Sequence, residues 1–278
     1  MRLGYNTNGF AHHRLDDALE ILAAIGYQAV ALTPDVHHLP PFSSTTADMR
    51  RLRRRLEELN LAPVVEAGAR FVLDPRRKHR PTLLEADPGE RRQRFEMLGR
   101  CLEIAAEIGA PQLSIWSGGL PAGVTEEEGW GRLVPAVHEL CERAATLGVG
   151  VAFEPEPGMF VESMEGWERL RDAVSHPALG LTLDVGHVRC TEDYGPGEAI
   201  RRYADDLRNV HLDDMRGRIH DHLQIGEGEL DFRAILEALR EVNYQGVASV
   251  ELSRHSHAAP AAAQVAFERL QAAASAAG

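Results

Sequence analysis

The chain has 278 residues, 44% apolar and 6% aromatic, and 42 acidic against 30 basic side chains give a formal charge of −12. That is enough apolar content for a sizeable core, in a length that suits one α/β barrel of about 250 residues. The acidic balance excludes a dedicated nucleic-acid binder, which needs a basic footprint for phosphates; Cys101, Cys141 and Cys190, far apart and without a CxxC pair, exclude a disulfide framework or a cysteine zinc site.

The opening MRLGYNTNGF has no apolar signal core, and no run approaches the roughly 18 apolar residues of a membrane span. With the reduced-thiol pattern this leads us to expect a soluble, cytoplasmic protein with no membrane contact.

LGYNT reads as a first strand. Asp16 to Ile25 is then apolar at Leu19, Leu22, Ala23 and Ile25, closes at Gly26 and is followed by QAVALT. Asp48 to Leu59 carries Leu52, Leu56 and Leu59, closes at Asn60 and leads to APVVEAG. Its RRLRRR run, Arg50 to Arg55, reads as a solvated helix face. Glu90 to Ile108 carries Phe95, Leu98, Leu102 and Ala105, closes at Gly109 and leads to QLSIWSG. Glu126 to Leu147 carries Leu133, Val137, Leu140 and Ala144, closes at Gly148 and leads to VGVAFEPE. A helix around Trp167, Leu170 and Val174 precedes LGLTLDVGH, and one around Ile200 and Tyr203 precedes LRNVHLDD. Phe232 to Val242 carries Ile235, Leu236 and Leu239 and leads to GVASVEL, and an Ala-rich helix ends the chain.

The pattern is eight short strands alternating with eight helices. Near-continuous apolar strands are those covered on both faces, and βα alternation implies a parallel sheet. No Gly/Ser-rich linker divides the chain, and no GxGxxG follows the first strand. The expected fold is a (β/α)8 TIM barrel, one domain over residues 1–278.

Barrel chemistry sits at the C-terminal ends of the strands. The third strand ends at Glu66 and the fourth at Trp116. The fifth ends at Glu154 and the sixth at Asp184, with His187 just after. The seventh ends at His211 and the eighth at Glu251. Four consecutive strands thus deliver Glu, Asp, His and Glu to one rim. Such a set is either a salt-bridge network or a metal site, and crowded carboxylates repel unless a cation neutralises them. The donor types suit Mn²⁺, Mg²⁺, Co²⁺ or Zn²⁺.

The barrel order with DVGH, NVHLDD, IGEGELDF and the closing SVEL resembles the xylose-isomerase-like TIM barrel superfamily. That group holds sugar and sugar-phosphate isomerases and epimerases, inosose and dehydroshikimate dehydratases, and endonuclease-IV-type nucleases. The resemblance implies that Glu154, Asp184, His211 and Glu251 hold one divalent metal. It implies that Glu154 and Glu251 move a proton next to a carbonyl through a metal-stabilised enediolate. The substrate would be a small sugar, sugar phosphate or related polyhydroxy carbonyl compound. A dehydratase on a cyclic polyol ketone, a metal phosphodiesterase and a non-catalytic metabolite-binding barrel are the alternatives. Relatives often pair, which implies a homodimer.

The loop after His211 adds Arg218, His220 and His222. By the same resemblance, His187 and an arginine of this loop contact substrate hydroxyls in the epimerase branch. In the nuclease branch the counterparts of His187, His220 and His222 bind a further zinc. His220 and His222 are alternate residues, which point the same way if extended, so the three imidazoles are either a second metal site or a sugar clamp. The nucleases also use histidines where this chain has Glu66 and Trp116, and Trp is no ligand, which weighs against a trinuclear centre. Glu66, Arg70 and Trp116 are expected at the substrate, Glu66 serving as ligand, base or partner of Arg70. The basic loop GARFVLDPRRKHRPTLL either holds an anionic group or is simply solvated. His12, His13, His37 and His38 follow the first two strands and are either pocket-lining or solvated, and Tyr5 and Asn6 are candidates for the floor.

Overall fold

The computed structural model describes residues 1–276. The elements in chain order are β1 (Arg2–Asn6), α1 (Leu15–Ile25), β2 (Ala29–Leu32), α2 (Thr46–Glu58), β3 (Ala62–Glu66), α3 (Pro88–Ile108), β4 (Gln112–Ile115), α4 (Glu126–Thr146), β5 (Gly150–Phe153), α5 (Met164–Val174) and β6 (Leu179–Asp184). There follow α6 (Val185–Thr191), α7 (Pro196–Arg202), β7 (Leu207–Leu212), β8 (Asp214–Arg216), β9 (Ile219–Leu223), α8 (Phe232–Glu241), β10 (Val247–Val250) and α9 (Ala259–Ala276), with 3-10 turns at Thr7–Phe10 and Ser253–Ala258. The sheet closes as a barrel in the order β1-β10-β7-β6-β5-β4-β3-β2, and β8 and β9 form a separate two-stranded sheet.

The helix boundaries follow local chemistry. Asp87 caps α3 by accepting from Gly89 N and Glu90 N, with Pro88 in the first turn, where its missing N–H costs nothing. Thr125 and Glu128 form a reciprocal capping box on α4. Asp231 caps α8 through Ala234 N. Gly26 ends α1 at φ 116°, a left-handed conformation that a side chain would oppose.

The chain folds as two compact units. One holds residues 1–32, 55–62 and 181 onward. Here β1 runs parallel to both β2 and β10, β10 to β7, and β7 to β6. Its core is built on Tyr5, Phe10, Leu19, Leu22, Val210, Leu212 and Val250, all fully buried. The other unit holds residues 33–54 and 63–180, with β4 paired to β3 and β5. Leu98, Leu102, Leu113, Leu140 and Val151 fill it, and Phe153 stacks on Trp167 at 6.4 Å. The three cysteines are buried and free, as core residues. In the arginine run of α2, Leu52 and Leu56 face inward while Arg50, Arg51, Arg53 and Arg54 are exposed, the expected solvated face. Among the described residues no helix is long and apolar enough to cross a membrane.

The segment after β7 departs from the expected loop. It folds back as an antiparallel hairpin, β8 on β9, with Asp214 opposite Leu223 and Arg216 opposite Ile219. The short helix α6, directly after β6, is also additional to the eight helices expected.

Candidate metal centre at the strand ends

The sheet register brings the polar strand ends level. Asp184 of β6 pairs with His211 of β7, and His211 pairs with Ser249 of β10. Side chains alternate along a strand, so Glu251, two residues beyond Ser249, points to the same face one pleat further on. His211 Nδ1 lies 3.1 Å from Glu251 Oε2 and 3.9 Å from Asp184 Oδ2. Asp184 is held by its other oxygen, which accepts from His187 N at 2.8 Å and caps α6. The donor atoms of Asp184, His211 and Glu251 all lie within 4.8 Å of one another.

Both ends of this set are braced. Asn8 Nδ2 donates to Glu251 Oε1 at 2.7 Å, and the Asn209 amide meets His211 Nε2 at 3.0 Å. His211 therefore turns Nδ1 towards the carboxylates. Burial pushes the Glu251 carboxyl up. The charge and hydrogen bond of His211, with the charges of His222 and His187, outweigh this and hold it below the ordinary carboxylate range.

A second cluster adjoins the first. His187, in α6, and His220, in β9, bring their Nε2 atoms to 3.0 Å. The His222 ring centroid lies 4.5 Å from that of His220 and 5.8 Å from that of His187. The alternate spacing of His220 and His222 does bring both rings to one side. Burial, then the charge of His222, pulls His220 down to about 4. Burial also works to lower His222, but the charge and hydrogen bond of Asp213, then the charges of Glu251 and Asp184, override it and raise His222 to about 10.

The doubled aspartate of NVHLDD has two separate jobs. Asp214 accepts from Gly226 N, Gly228 N, Leu230 N and Met215 N at 2.8–3.1 Å and so fixes the GEG turn that leads into α8. Asp213, fully buried, places Oδ2 2.5 Å from His222 Nδ1. Arg254 ties the hairpin down by donating to Asp221 Oδ1 and His220 O.

Other expected residues fall elsewhere. Arg218 is exposed and donates to Asp193 and to the Glu192 carbonyl. Arg70 pairs with Asp35 at 2.8 Å, while a pairing with Glu66 was one of the three readings of that glutamate. Glu66 is buried at the end of β3. Trp116, also buried, carries the buried Arg94 guanidinium 5.1 Å from its ring centre and His79 at its edge. The basic loop mostly pairs internally, Arg77 with Asp74 and Glu90, Arg80 with Glu85. Of the four loop histidines, only His38 is buried. Glu154 follows β5 and is buried.

A profile of the xylose isomerase-like TIM barrel family matches residues 19–273. The chain belongs to this family. Among curated relatives, the inosose dehydratase of Geobacillus kaustophilus is 30% identical over 148 residues, 46% of each chain. The fructoselysine 3-epimerase of Shigella flexneri is 26% identical over 178 residues, 61% of this chain and 62% of its own. The chain spans less than half the length of the inosose dehydratases it matches. A crystal structure of the IOLI protein with a bound zinc atom is similar in fold, at TM-score 0.80 and 20% identity, over 100% of this chain and 99% of that one. Asn8, Asn209, Asp213 and Arg254 are site neighbours that sequence reasoning missed; only the doubled aspartate gave any signal.

Proposed function

We propose that the chain is a divalent-metal-dependent isomerase or epimerase acting on a small sugar, sugar phosphate or related polyhydroxy carbonyl compound. The Asp184–His211–Glu251 set, with the aspartate and histidine buried and the glutamate partly exposed, carries the reading. A buried and a partly exposed carboxylate face one imidazole as counter-charge, and a cation fits the donors. Glu154, from the next strand in the barrel order, is proposed as the fourth donor. Oxygen donors with one imidazole suit Mn²⁺, Co²⁺, Zn²⁺ or Mg²⁺. His187, His220 and His222 form a proposed second donor set, suited to Zn²⁺.

When bound, a divalent cation here would polarise a substrate carbonyl and offset the negative charge that develops beside it. The side chains do the rest. Glu251 and Glu154 are the proposed acid/base pair, one taking a proton from carbon and the other returning it. The proton on His211 contributes to holding Glu251 low. Asn8 keeps the carboxylate oriented throughout.

The 30% identity to inosose dehydratase favours a second reading, in which the same proton removal is followed by loss of a β-hydroxyl. A panel of ketoses, sugar phosphates and inososes, run in deuterated water with elemental analysis, tests both. The first reading expects about one or more equivalents of divalent metal and solvent deuterium on carbon in a product of unchanged formula. Loss of water points to the dehydratase. A metal-free chain inert on every substrate overturns both.

A further inference from the structure

Asp213 belongs to neither donor quartet nor histidine set, yet the structure commits a good deal to it. It follows β7, is fully buried, and has no hydrogen-bond donor on either oxygen other than its close contact with His222 Nδ1. The backbone of α6 packs directly on it, since a Cβ at Gly186 would run into Asp213 Oδ1. On the other side, His222 adopts φ 47°, a left-handed conformation that the side chain of a non-glycine residue opposes. Both the glycine and the strain serve to seat one imidazole on one carboxylate.

We propose that Asp213 is the positioning residue of the three-histidine set: it holds the Nδ1 proton of His222, fixing the ring's tautomer and leaving Nε2 as the nitrogen offered to a transition-metal cation. This rests on the proposed reading of that set as a second metal site. His187 and His220 already converge through Nε2, and His222 has Nδ1 committed to Asp213, so all three rings present the same kind of nitrogen. A carboxylate behind a ligating imidazole raises its basicity and fixes its direction. It also places a negative charge beside a donor set that has none of its own. A neutral His222 without Asp213 is free to put its proton on Nε2 and cease to be a ligand.

The test is titration of the chelator-stripped full chain with Co²⁺ and Zn²⁺, following visible absorption and bound stoichiometry. The wild type is expected to take up two equivalents. Asp213→Asn, close to isosteric, keeps the fold and the first equivalent but weakens the second by about 10–100-fold. Asp213→Leu weakens it further, and His220→Ala removes it. A second equivalent that binds Asp213→Asn and Asp213→Leu as tightly as wild type overturns the inference. So does an equal loss of both equivalents, which marks a merely structural role. A wild-type chain taking one equivalent, with His220→Ala unchanged, overturns the second-site reading itself and is separable from the other results.

Discussion

Glu251 is the residue on which the proposed chemistry turns. Its two oxygens are divided between Asn8 and His211, so it arrives at the reaction oriented and anionic. Replacing it by Gln keeps the shape but removes both the charge and the basicity. Steady-state kinetics on the best substrate should show kcat/KM down by about 10²–10⁴, and elemental analysis should show reduced metal. A Glu251→Gln enzyme of wild-type rate would remove it from the mechanism. His79 gives a different prediction. Burial pulls it down to about 4, only partly offset by its bond to the Gly68 carbonyl. A histidine with a folded pKa below its unfolded value near 6.5 stabilises fully above that value. The contribution is lost as pH falls from about 6.5 to about 4. Urea midpoints should therefore drop across this range, and less steeply in His79→Asn.

At the level of elements, the hairpin of β8 and β9 hangs on few contacts. Asp214 holds four backbone N–H groups between Met215 and Leu230, and a Cβ on Gly228 would collide with the same carboxylate. Charge-assisted bonds to a buried carboxylate are expensive to lose, so Asp214→Ala should cost about 3 kcal/mol or more. That is on the order of 6–12 °C in Tm for a chain of this size. Hydrogen exchange should speed up first in residues 214–230. An unchanged exchange map would show that Arg254 and the strand pairing suffice.

Much of this was legible in the sequence, for physical reasons. Helices such as 88–108 announce themselves by apolar spacing and a terminal glycine, and the structure moves their ends by a residue or two. Asp184, His211 and Glu251 stood out because each ends an apolar run. The hairpin did not, because β9 has exposed Ile219 and carries no alternating apolar face. Nor could Asp213 be told from Asp214, since neighbouring aspartates differ only in the groups that fold around them. The Asn8–Glu251 bond links residues 243 positions apart and has no local signature at all.

For the whole molecule, the proposed cation would add to the stability. A ligand that binds only the folded chain adds about 2.7 kcal/mol at a hundredfold excess over its Kd. Stripping the protein with a chelator should lower Tm, and Mn²⁺, Co²⁺ or Zn²⁺ should restore it in a concentration-dependent way. The His211→Ala variant should lose most of that response. Equal Tm values with and without metal would show that no cation is held.

The pairing of β1 with β10, and the Asn8–Glu251 bond above it, also sets a timetable for the chain in the cell. Translation at about 5–20 residues per second separates those two residues by roughly 12–50 s. Through that interval β1 has only β2 beside it, and its other edge stays open. The proposed base is made 243 residues after the asparagine that orients it, so the site stays catalytically silent until that whole stretch has been synthesised. Slowing synthesis between β2 and β10 should therefore lengthen exposure of that edge, and raise aggregation, without changing the finished protein.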